Sequence, residues 1–131
     1  MPKPFILGVD FDGTVVKSAY PMIGDPVPDA LAYLQQFNAM GIQLILWTIR
    51  SGIQLDSAVN WLRTHEIRLH GVNTNPTQAS WSQSPKAYCN AYIDDAAIGC
   101  PLVQPIDSKP YVDWRVAGPM ILQQYELHMR N

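Results

Sequence analysis

Three apolar runs in this chain each stop at residues able to handle a charged, oxygen-rich ligand. Phe5 to Val9 runs into Asp10, Phe11, Asp12, Gly13 and Thr14. Ile42 to Trp47 runs into Thr48, Ile49, Arg50, Ser51 and Gly52, and Tyr92 with Ile93 runs into Asp94 and Asp95. Asp, Gly and Thr end strands commonly because they turn well, so turn chemistry explains any one of these signals. It does not explain all three. Ligands of an open parallel sheet bind outside the carboxyl ends of its strands, which predicts that the three signals meet at one edge. There Asp10, Asp12, Asp94 and Asp95 would repel one another and be costly to desolvate, a combination that calls for a cation. Hard oxygen ligands without His or Cys favour Mg2+, which takes one or two carboxylates and keeps waters and a substrate phosphate. Lys86, shortly before Asp94, is placed to balance the charge that remains.

The elements that must carry these residues alternate. Phe5–Val9 reads as a buried strand, and the Gly- and Pro-rich stretch 13–28 as loop or hairpin. Asp29 stands where a helix cap is wanted, followed by Ala30, Leu31, Leu34, Phe37 and Met40 at helical spacing and by Gly41 at the C-terminal stop. Ile42–Trp47 is a second strand. Residues 54–65 form a second helix with Leu55, Val59 and Leu62 on one face. Ile67–Val72 is a weaker third strand, a polar loop reaches Ser84, and Tyr92 and Ile93 close a fourth. Leu102 and Val103 suggest a fifth strand, and 112–129 a last helical region disturbed by Pro119. Such alternation predicts an α/β fold: a single three-layer Rossmann-like domain over residues 1–131 with a mainly parallel central sheet.

Composition narrows the function classes. Hydrophobic residues make up 47% and charged ones 15%, as in globular chains, and the net charge is −2. Lys and Arg never adjoin one another, so no basic face for nucleic acid is expected. No apolar run approaches a membrane span. Cys89 and Cys100 read as free thiols, and with no signal-peptide pattern the expected location is cytoplasmic. His65, His70 and His128 lack ligand spacing, and the four tryptophans read as packing residues.

The order Asp10-x-Asp12-x-Thr14, then Thr48, then Lys86, then Asp94-Asp95 closely resembles the motif series of the haloacid dehalogenase (HAD) superfamily of phosphotransferases, over residues 5–99. The resemblance implies a phosphatase acting on a phosphate monoester. Asp10 would be the nucleophile, forming an aspartyl-phosphate, and Asp12 the general acid and base, its main-chain carbonyl also touching Mg2+. Thr48 and Lys86 would hold phosphoryl oxygens. Asp94 would complete the metal shell, with Asp95 supporting it or the lysine. A carboxylate at Asp12 points to phosphatase or phosphomutase chemistry. A catalytically silent phosphate-binding module is the further alternative. A phospho-acceptor signalling domain has its motifs in another order.

Neither the Asp10–Thr48 nor the Thr48–Lys86 interval has room for the cap domain that relatives of this kind insert. An open site implies either a large substrate or a lid from another subunit, hence a possible homo-oligomer. The 15–28 loop, with Val15, Val16, Tyr20, Met22 and Ile23, would pack on its own core or on a neighbour. Arg50 would contact a substrate anion or serve structure, and Asn73 and Asn75 would cap a turn before Pro76 or reach substrate. The substrate, small molecule or macromolecule, is not specified by these residues.

Overall fold

A computed structural model describes residues 3–131. Its elements in chain order are β1 (Ile6–Val9), α1 (Ala30–Ala39), β2 (Gln43–Leu46), α2 (Gly52–Thr64), β3 (Gly71–Val72), β4 (Ala91–Ile93), β5 (Leu102–Val103), β6 (Tyr111–Val112) and α3 (Trp114–Arg130). The central sheet runs β3-β2-β1-β4, all parallel. The chain moves outward from β1 through β2 to β3, then returns to pair β4 on the other side of β1. The strand order therefore reverses at β1, where an open α/β sheet leaves its crevice. This is the mainly parallel Rossmann-like domain the sequence predicts.

Side-chain alternation divides the core in two. Leu7, Val9, Leu44 and Leu46 share one cluster with Leu34 and Phe37 of α1, Ala58 and Leu62 of α2, and Trp114, Ala117 and Ile121 of α3. Ile6 and Ile45 belong to the other, with Ala87 and Cys89. All three helices thus feed one core. The third layer is the segment between β3 and β4, which covers its face without a helix.

Local chemistry accounts for several boundaries. Gly41, at φ 85°, ends α1, with its N–H on Asn38 O at 3.1 Å and the N–H of Ile42 on Phe37 O at 2.9 Å, a Schellman ending. Asp29 does not cap that helix as the sequence suggests. Its φ of 69° is left-handed and its side chain accepts no cap bond, whereas a capping residue needs an extended backbone. Pro119 lies within α3 without ending it. β5 leaves the central sheet and pairs antiparallel with β6. The third strand shrinks to two residues, because Ile67 is spent on core packing before pairing begins. Cys89 and Cys100 are free thiols. Among the described residues no helix is long and apolar enough to cross a membrane.

Candidate active site

Asp10 follows β1 directly, and its N–H still donates to Ile93 O at 3.0 Å, so sheet pairing fixes its backbone. Asp94 and Asp95 follow β4, the strand beside it. Asp10, Asp94 and Asp95 each bring one carboxylate oxygen within 4.8 Å of the others. Thr14, fully buried, joins them: its Oγ1 donates to Asp10 Oδ2 at 2.8 Å and accepts from the Asp95 N–H at 3.1 Å. The Thr14 carbonyl in turn accepts from Trp114 Nε1 at 2.8 Å, and Val112 N–H donates to Gly13 O at 3.0 Å. The C-terminal elements thereby hold the loop after β1. Gly13 has φ 84°, and a Cβ there would collide with Asp95 Oδ2. Only glycine permits so close an approach in that conformation.

This acidic group lacks cationic help. Among the described residues the ion pairs are Arg50–Asp12 and Arg115–Asp113, so none of the three acids has one. Burial, then the hydrogen bond with Asp95, then the neighbouring charges of Asp94 and Asp95, push the Asp10 carboxyl from 3.8 up to about 8, against the lowering bond from Thr14. Asp95 is also raised, chiefly by burial. Three oxygen ligands so close together, two of them on carboxyls raised chiefly by burial, are a donor set that suits a hard divalent ion.

Asp12 departs from expectation. The sequence brings four carboxylates to one edge, and the structure gathers three. The Asp12 carboxylate is taken by Arg50, whose Nε and Nη2 donate to its two oxygens at 2.8 Å each. Arg50 is itself buried, with Nη2 on Met22 O at 2.8 Å and Nη1 on Pro21 O at 3.2 Å. The rings of Phe11 and Tyr20 lie 5.2 and 5.1 Å from its guanidinium carbon. The bond to Asp12 raises its pKa further. An arginine so enclosed does not reach a substrate anion, which corrects one of the two roles the sequence allows it. It positions Asp12 and latches the 15–28 loop. That loop packs on its own core through Val15, Val16 and Val27, leaving Tyr20 and Met22 exposed.

Lys86 is the second departure. It is exposed, its Nζ lies 5.6 Å from the Tyr92 ring centroid, and it pairs with no acid. Its backbone is nevertheless held, because Gln78 Nε2 donates to Lys86 O at 3.0 Å while Gln78 Oε1 accepts from the Tyr88 N–H at 2.7 Å. Buried Gln78 was not legible as a site-building residue, since nothing in a polar loop marks one glutamine as buried.

Thr48 stands where expected. With Asp10, Asp94, Asn73, Trp47 and Ile49 it lines an open cleft of about 310 Å³. Its N–H donates to Asn73 Oδ1 at 2.8 Å, and its Oγ1 accepts from the Arg50 N–H at 3.1 Å. Asn73, at φ 54°, reaches across from the end of β3 and is a site residue, not only a turn former. Asn75 is the turn cap, accepting from the Thr77 N–H at 3.0 Å and donating to Tyr88 O at 3.1 Å.

No family model matches the chain, and no curated protein does. Among solved structures it is similar to a conserved protein from Bacteroides thetaiotaomicron, at 30% identity over 93% of each chain with a TM-score of 0.74.

Proposed function

Starting from a chain that belongs to the same family as that conserved Bacteroides thetaiotaomicron protein, we propose that it is a magnesium-dependent phosphatase of the HAD type, hydrolysing a phosphate monoester through phospho-Asp10. The observation that carries this reading is the close group of Asp10, Asp94 and Asp95, with no ion pair to any of them among the described residues. Asp10, Asp94 and Asp95 would hold the ion, together with the Asp12 main-chain carbonyl that the family resemblance assigns. Bound there, Mg2+ would release the Asp10 proton and neutralise charge on the phosphoryl oxygens.

The chain's own residues then do the following. A carboxylate oxygen of Asp10, held in line by Thr14, bonds to phosphorus as the ester P–O bond breaks. Asp12, kept in place by Arg50, must enter protonated on one of the two oxygens that Arg50 otherwise holds, and it gives that proton to the leaving alkoxide. In the second half, Asp12 takes a proton from water as that water's oxygen bonds to phosphorus and Asp10 leaves. Phosphate and free Asp10 result. Thr48, oriented through Asn73, donates to a phosphoryl oxygen. Lys86, on a flexible stem, would turn from Tyr92 toward the phosphoryl group.

The position of Lys86 also favours a second reading, a silent phosphate-binding module, because the acids have no lysine beside them. One assay separates the two. Purified protein is incubated with aryl phosphates, with and without added Mg2+. Turnover that requires Mg2+, and that Ca2+ with its longer bonds and higher coordination number inhibits, supports the phosphatase. Turnover unchanged by chelation refutes the metal assignment, and no turnover on any ester favours the silent module.

A further inference from the structure

The cleft above Asp10 has two unlike halves. Asp10, Asp94, Thr48 and Asn73 make one, and Trp47 with Ile49 the other. Ile49 is 100% exposed although it lies between the two motif residues Thr48 and Arg50. Single exposed apolar residues need no explanation, but Ile49 lies in the cleft lining beside Trp47 and next to Thr48.

Charge decides what the apolar half receives. No lysine or arginine lines the cleft. Arg50 is buried with its donors engaged. In the proposed reaction Mg2+ and Lys86 would be taken up by the acids and the phosphoryl group, so a leaving group carrying a carboxylate or a second phosphate would meet no further side-chain cation in the cleft. A hydrocarbon would find Trp47 and Ile49.

Resting on the phosphatase reading above, we infer that the substrate is a phosphate monoester of an alcohol with an aliphatic or aromatic body and no further anionic group. The body seats on Trp47 and Ile49, which set specificity, while the phosphoryl end is held by the polar half.

The test compares kcat/KM for hexyl phosphate and 2-phenylethyl phosphate with glycerol 3-phosphate and 3-phosphoglycerate, under saturating Mg2+. All are esters of primary alcohols, so leaving-group chemistry does not favour the apolar pair. A preference of about tenfold or more for the apolar esters is expected, as is typical of small apolar contacts in a specificity site. Ile49→Ser should shrink that ratio by raising KM for the apolar esters, and Ile49→Lys should move it toward 3-phosphoglycerate. Both lie on the surface and leave the core intact. A ratio near one or reversed, with all four esters turned over, overturns the substrate class and leaves the phosphatase standing. The same ratio together with an oligomer in sedimentation assigns the apolar half to a second copy and equally overturns the proposal. No turnover of any ester overturns the phosphatase reading and this inference with it.

Discussion

Arg50 holds Asp12 by a two-pronged ion pair, Nε and Nη2 each 2.8 Å from one carboxylate oxygen. The arginine side chain is fully buried while that of Asp12 keeps 21% exposure. The pair thus has a structural end and a working end. One guanidinium fixes the carboxylate proposed to move protons and also bonds the carbonyls of Pro21 and Met22, so site and loop are set by the same group.

Arg50→Lys is expected to lower kcat at least tenfold, because an ammonium cannot reproduce the planar fork. Arg50→Met should also destabilise the fold by about 3 kcal/mol, the low end for breaking a buried pair, since Asp12 remains partly in water. Denaturant melts and steady-state kinetics check both. Normal kcat in Arg50→Lys would remove the positioning role.

Gly13→Ala should cost at least about 1 kcal/mol, through its left-handed backbone and its collision with Asp95. Because Asp95 belongs to the acidic group, the variant should also lose most of the thermal stabilisation that Mg2+ gives the wild type. A Mg2+ titration followed by melting temperature reads this. An unchanged Mg2+ response would detach Gly13 from the metal site.

The raised carboxyl of Asp10 has a pH signature. Below pH 3.8 the group is protonated in the folded and unfolded chains and costs nothing. Between 3.8 and about 8 the unfolded chain releases a proton that the folded chain retains, so stability falls as pH rises, and above about 8 the penalty is complete. Without metal, Asp10→Asn should therefore melt several degrees higher than wild type near pH 8.5, with a smaller difference near pH 5. Added Mg2+ should reverse that order. A difference independent of pH would contradict the burial argument.

The acids were legible because a buried strand that stops at Asp is a sharp signal, and Asp10, Thr48, Asp94 and Asp95 stand where that signal put them. What the sequence does not reveal depends on contacts remote along the chain. Trp114 donates to the Thr14 carbonyl from 100 residues away, and Arg50 reaches Asp12 across 38. No local pattern shows that the 15–28 loop wraps Arg50, or that Asp12 is drawn out of the acidic group as a result. The third layer is hidden in part, because Ala87 and Cys89 cover the sheet from the stretch between Ser84 and Tyr92, which carries no strand or helix pattern.

In the proposed reaction Asp10 carries the phosphoryl group and Asp12 the protons, and intact mass spectrometry of Asp12→Asn after mixing with an aryl phosphate and Mg2+ separates these roles. An aryl leaving group needs little protonation, so the first half-reaction should proceed while hydrolysis stalls. One added phosphoryl group is expected, labile to hydroxylamine and absent from Asp10→Asn, with steady-state turnover lowered about 10²–10⁴-fold. Near-normal turnover with no phosphoryl adduct in Asp12→Asn would remove Asp12 from proton transfer and Asp10 from phosphoryl transfer.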